Sequence, residues 1–320
     1  MRYICFMFSL DQLASLTAVV EEGTISAAAD RLGYTPSAIS QQLTRLERDA
    51  GTPLMSRQGR YVVPTDSGLA LVEAARIMIG AEERARAELE RLTETVTGRL
   101  AVAAFPSAVR GLVADSLATM KRRHGQVTVS VREHGPDDAL RAVERSEVDV
   151  AVGHDWVDDT ATPPAGVVLT HLGTDPLDVV LPLDHPLAGA SLIRPRQLAD
   201  DPWISDASEG TCQRWLHRFQ QVNEVRLDIS ALADEHHTQI ALIRAGLGIT
   251  LVPRLGRGVL PEGVVAVPVV GAPTRRVFVA HRGDSSRRPT INALIAVLLE
   301  RAAVVLEAPR RRQPAAADPT

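Results

Sequence analysis

The chain has 320 residues, 45% of them apolar, a formal net charge of −4 and two cysteines. That content supplies two or three cores and excludes a disulfide scaffold, a membrane-crossing helix, for which no apolar run is long enough, and a chain that binds polyanions over its whole surface. One segment departs from the acidic average: within residues 31–65, Arg31, Arg45, Arg48, Arg57 and Arg60 stand against Glu47 and Asp49.

Residues 1–8, MRYICFMF, imitate the start of an export signal, but Asp11 and Gln12 cut the apolar run short. A cytoplasmic protein is the expectation, with Met1 and Met7 both open as the start. Ser9 or Asp11 caps a first helix carrying Leu10, Leu13, Leu16, Val19 and Val20 at helical spacing. Gly23 ends it. Thr24 or Ser26 starts a second helix of small residues, Ala27 to Ala29 with Leu32, and Gly33-Tyr34 turns the chain.

The third helix is expected over 36–50, with Thr35 as its cap and Pro36 at its first position. Ile39, Leu43, Leu46 and Ala50 share one face. The opposite face carries Ser37, Gln41, Thr44, Arg45 and Arg48, with Ser40 at its edge. Glutamine bonds adenine edges, and arginine bonds guanine or phosphate. A solvated amphipathic helix accounts for the periodicity alone. Small Ala29, turn-forming Gly33 and apolar Ile39 at helix-turn-helix spacing favour a DNA reader instead. So does the segment 54–65, a two-stranded wing whose tip holds Arg57 and Arg60, placed to clamp phosphates.

On these residues the segment resembles the winged DNA-binding domain of LysR-type transcriptional regulators. The match runs through Ala28, Ala29 and Leu32, the run SAISQQL at 37–43, Leu46-Glu47, Gly51, Pro53-Leu54, Arg57, Arg60, Thr65 and Gly68. Met55 stands where the family usually has Phe and Pro64 where it often has Leu. Gln41 replaces an Arg common in the family, which bears on the sequence of the DNA site.

Residues 66–97 are expected to form a linker helix. Leu71, Ala75, Met78, Glu82, Ala85, Leu89, Leu92 and Val96 are spaced alternately by four and three, a heptad seam broken only by Glu82. A protruding apolar seam has to be buried, and the resemblance implies that it pairs two chains. From Gly98 the pattern changes to short apolar strands alternating with helices: strands at 100–105, 127–131 and 148–152, and helices at 107–123 and 137–145. A second unit follows. Its strands are expected at 167–173, 177–181, 203–204, 226–231, 247–253, 264–267 and 276–281, with helices at 211–221, 238–245 and 290–306.

The fold expected is α/β, with an α-rich N-terminal winged helix-turn-helix and a C-terminal two-subdomain sensor. The resemblance likens that sensor to periplasmic binding proteins, through RAGLGITLVP (244–253) and DPLDVVLPLDHPLA (175–188). The boundaries are 1–65 for the reader, 66–97 for the linker, 98–306 for the sensor and 307–320 for a disordered tail. Within the sensor, 98–166 with 268–306 form one subdomain and 167–267 the other.

Ligands of open α/β sheets bind beyond the carboxyl ends of strands. This picks out Phe105, Pro106 and Ser107, then Ser205 and Asp206, then His236, His237 and Thr238 as effector-binding residues. Helix starts with free N–H groups favour anions, so a small carboxylate or an amino acid is expected. His236-His237 has no second ligand cluster, so no metal or cofactor is assigned. Cys5 and Cys212 lie too far apart in sequence to imply a bridge, and no nucleophile motif marks an enzyme. A transport protein with an accidental helix pair leaves the wing arginines unexplained. The resemblance implies double-stranded DNA, a small-molecule effector and RNA polymerase as partners, and a homodimer or homotetramer.

Overall fold

The computed structural model describes residues 8–58, 61–92, 96–206 and 211–306. Arg60, Cys5, Met7 and the tail at 307–320 lie outside these, as do the side chains of Arg57, Leu92 and Cys212. The chain forms two compact units that divide between Glu94 and Thr95.

The first unit contains α1 (Leu10–Glu22), α2 (Ile25–Leu32), α3 (Pro36–Ala50), β1 (Met55–Gln58), β2 (Tyr61–Pro64) and α4 (Asp66–Leu92). Thr24 and Thr35 cap α2 and α3 through their hydroxyls. The first three helices each stop at a glycine in the left-handed region. Leu13, Leu16, Ala29, Ile39, Leu46 and Leu54 close the core of this unit. Gly68 is obligatory there, because a Cβ would lie 2.1 Å from the Leu54 carbonyl oxygen.

Three positions of the expected seam differ from expectation, the first being Leu71, which packs on the core of its own unit. Ala75 is buried in the core of its own unit, beside Val72, so it is not free to face a partner. Val96 lies beyond the helix and packs on the core of the second unit. Ile77, Met78 and Leu89 are exposed.

The second unit runs through β3 (Gly98–Ala104), α5 (Pro106–Ala108), a π-turn (Val109–Val113), α6 (Ala114–Arg123), β4 (Val127–Glu133), α7 (Pro136–Glu144) and β5 (Val150–Trp156). It continues with β6 (Val167–Pro182), β7 (Pro202–Ser205), α8 (Thr211–Asn223), β8 (Asp228–Leu232) and α9 (His236–Arg244). It ends with β9 (Thr250–Pro253), β10 (Val264–Pro268), β11 (Thr274–Arg282) and α10 (Pro289–Val305). The main sheet has the order β10-β6-β11-β5-β3-β4, with β9 also on β6. Only β3, β4 and β5 are mutually parallel in it; β6, β9, β10 and β11 pair antiparallel. One lobe packs Leu100, Leu112, Val152 and Leu298 together, the other Leu181, Trp203, Phe219 and Leu251.

Where two strands were expected at 167–173 and 177–181, β6 is one strand joining the lobes. Residues 167–176 pair with β11, and 177–182 pair with β9 and β10. Pro176 falls at the changeover, where its missing N–H breaks neither ladder. The expected helix at 107–123 carries a π-turn, marked by the Ala114 N–H bonding the Val109 carbonyl. The expected strand at 247–253 begins only at Thr250. Residues before it are held by β7 instead, the Ile249 N–H donating to the Pro202 carbonyl at 2.8 Å.

Candidate functional site

Helix α3 presents two kinds of polar group. Its hydroxyls are engaged: Thr35 accepts from the Ala38 N–H and contacts Ser37 Oγ at 3.0 Å, and Ser40 and Thr44 donate to the carbonyls of Pro36 and Ser40. Gln41 and Arg45 are exposed and have no partner among the described residues. Arg48 is exposed as well, with only a loose approach to Asp49 at 3.7 Å. Glu47 ties this helix to the wing by accepting the N–H groups of Leu54 and Met55 at 2.9 and 3.1 Å. Arg31, by contrast, is turned inward and paired with Glu21 and Glu22, so it adds nothing to the basic face. Arg57 sits in β1 opposite Val62, which places its backbone on the wing.

In the second unit a cavity of about 390 Å³ opens between the lobes. Five expected residues line it: Phe105, Pro106, Ser107, Asp206 and His236. Ser205 lines a smaller recess behind, which shares Asp206, His236 and Arg275 with the cavity. His237 and Thr238 lie off the cavity. His237 Nδ1 contacts Glu235 at 3.0 Å, and the Thr238 N–H donates to the same carboxylate. Glu235 therefore closes the start of α9, and the anion site expected there is already filled by the chain itself.

Several lining residues were not singled out in the sequence: Arg110, residues 133–138, Arg141, His154, Asp234, Glu235 and Arg275. The run REHGPDD at 132–138 spans the carboxyl end of β4 and the start of α7, so the rule that picked out Phe105 also applies to it. His154 and Arg275 gave no such signal. They sit inside strands, where a polar residue reads as an outward-facing one.

Arg275 is buried and anchors the cavity floor. Its Nη2 donates to Asp175 at 2.5 Å and to Ser107 Oγ at 3.1 Å, and its guanidinium lies 5.0 Å from the Phe105 ring centre. Phe105 meets the His154 ring edge-on at 4.8 Å, and His154 meets Trp156 at 5.5 Å. His154 is 4% exposed, and its Nδ1 has no partner. Burial, with Arg275 and His236 nearby, holds its pKa well below the ordinary imidazole value. Burial and Arg275 likewise lower His236 to about 4. Asp206 moves the other way, pushed up to about 6 by burial and by Asp234. Arg110 reaches across from the helical start of one lobe to Glu235 of the other at 3.3 Å. Among the described residues, no His, Cys, Asp and Glu group is arranged to hold a metal.

One sequence profile, of the bacterial regulatory helix-turn-helix proteins of the LysR family, matches residues 10–69, and one of the LysR substrate-binding domain matches residues 93–303. The chain belongs to the LysR family. LysR proteins are transcriptional regulators, not enzymes. Over 249 residues the chain is 29% identical to a probable RuBisCO transcriptional regulator of Synechocystis, covering 77% of this chain and 71% of that one. Two solved structures share the fold. A full-length OxyR variant from Pseudomonas aeruginosa has a TM-score of 0.65 at 19% identity, over 94% of this chain and all of that one. Full-length CbnR in complex with its target DNA has 0.54 at 18%, over 92% and 99%. No helix among the described residues is long and apolar enough to cross a membrane.

Proposed function

We propose that this LysR regulator is a cytoplasmic protein that binds a dyad-symmetric promoter site as a homodimer or homotetramer, and that a small carboxylate or amino acid in the cleft sets its effect on RNA polymerase. The observation that carries the reading is the exposed face of α3. Gln41 and Arg45 stand there without partners, as groups that read base edges do before DNA arrives. Ser37, Ser40, Thr44 and the Thr35 cap flank them, while Arg57 and Arg60 on the wing hold phosphates. That CbnR was solved on its target DNA supports the same use of this fold. The exposed apolar residues on α4, Ile77, Met78 and Leu89, support pairing of chains through that helix. In the cleft, Phe105, Ser107, Asp206 and His236 contact the effector, and Ser205 forms the recess behind it.

Footprinting of the purified protein on the intergenic DNA beside its own gene tests this reading. Protection in two patches related by a dyad is expected. Absence of protection at every salt concentration, with and without amino acids and carboxylates added, overturns it.

A further inference from the structure

The cavity between the lobes is lined by three guanidiniums and twice as many carboxylates, and the guanidiniums are already taken. Arg275 is held by Asp175, Arg141 by Asp138 at 2.5 Å, and Arg110 by Glu235. Asp206 is left without a cation within ion-pair distance among the described residues. Its one side-chain contact is the Gln239 amide at 3.5 Å, and that amide also donates to the Ala233 carbonyl at 2.7 Å. A second observation points into the same space: His154, more than nine-tenths buried on the cavity wall, keeps Nδ1 without a partner. A buried polar atom without a partner is costly, and a group that enters the site relieves it.

Taking the cleft as the effector site, we infer that its ligand carries a protonated amine, seated against the carboxylate of Asp206, so that the effector is an amino acid or an amine and not a plain carboxylic acid. The amine supplies the missing positive charge beside Asp206 and brings N–H donors to its carboxylate. A carboxylate alone meets guanidiniums whose charge is already neutralised and a lining that is net negative. Where the ligand also has a carboxylate, the Ser107 hydroxyl, which accepts from Arg275 and so keeps its own hydrogen to donate, is the group that receives it. The recess behind Asp206, walled by Trp156, Leu177, Leu216 and Leu251, holds only about 20 Å³, room for about one water, so the body of the ligand lies in the main cavity.

Calorimetric titration of the full-length protein with matched sets decides the matter: leucine, 4-methylpentanoate and isopentylamine, then phenylalanine, 3-phenylpropionate and phenethylamine, extended to the other amino acids with their deaminated and decarboxylated counterparts. Amine-bearing members are expected to bind and their deaminated counterparts to bind at least tenfold more weakly. Asp206→Asn should remove that preference while Asp228→Asn, exposed on β8 and off the cavity, retains it. The charged and titratable groups around Asp206 are Asp234, Glu235, His236 and Arg275. Since Asp206 takes up a proton as the pH falls through about 6, amine affinity should fall there too, and be flat in Asp206→Asn. Deaminated acids binding as well as their amino acids overturns the inference and leaves the cleft as the effector site. No binding by any member overturns both.

Discussion

The face of α3 and the wall of the cleft are built from the same residue types and leave opposite groups free. On α3 the arginines point out, and Arg45 has no counter-ion among the described residues. In the cleft the arginines are paired, and the carboxylate of Asp206 is the group left short of a partner. Counting charges along the chain misses this difference. Arg31 adds to the basic count of the reader yet is held by Glu21 and Glu22. What a surface attracts follows from which of its charges remain unpaired once the chain has folded: anions for α3, a cation for the cleft.

The hardest test of the paired arginines is Arg275→Met. It leaves Asp175 buried with an uncompensated charge, and the second unit should lose about 3–5 kcal/mol in denaturant unfolding. A loss under about 1 kcal/mol would mean that the pair does not anchor the cavity floor.

The next test is pH. The folded pKa of Asp206 is raised to about 6, so the folded state binds a proton that the unfolded state has already released, and stability falls as pH rises from about 4 to 6. His236 is lowered to about 4, so the unfolded state binds the extra proton and stability rises with pH between about 4 and 6.5. In the unmodified protein the two slopes oppose each other. Asp206→Asn should add up to about 3 kcal/mol above pH 6 and expose a rising slope; His236→Gln should expose a falling one. Urea unfolding of all three proteins across pH 4–7 checks both signs.

A smaller effect is expected at α3. Arg45→Ala should cost about 1–3 kcal/mol on the cognate site and less on random DNA, whereas Arg57→Ala should weaken both alike. Equal losses for both variants on both DNAs would remove the distinction between base reading and phosphate holding. Smallest of all is Arg110→Gln. Its pair with Glu235 is partly exposed, so stability should change by less than about 1 kcal/mol. The rate at which a ligand leaves the cleft should nevertheless rise in stopped-flow dissociation, because that pair spans the two lobes.

The reader was legible because its signals are local. Helical spacing, the Thr35 cap, Pro36 and the glycines after each helix all act within a few residues, and they fix which side of α3 faces outward. Half of the cleft was legible for a similar reason, since Phe105, Ser107 and Asp206 follow strand ends. The remainder depends on partners far apart in sequence. Arg275 and Asp175 are 100 residues apart and His154 touches Phe105, so neither role is visible until β11, β6 and β5 lie side by side. The seam on α4 failed at Ala75 for the same reason: a heptad pattern does not say whether the helix buries a position against its own unit or against a partner.

On one flank of the cleft the lobes touch backbone to backbone. Gly111 lies in the π-turn, and a Cβ there would sit 2.6 Å from the Gly256 nitrogen; a Cβ on Gly256 would sit 2.1 Å from the Ser107 carbonyl oxygen. Arg110 Nε clasps the Gly256 carbonyl at 3.1 Å. The Leu255 side chain lies beside Gly111, buried in the core that holds Leu112, so these segments cannot slide past one another without collision. The flank acts as a fulcrum. A ligand that drew the far walls together would turn one lobe about this point, so that a small contraction at the ligand would become a larger arc at the outer edge of the lobe.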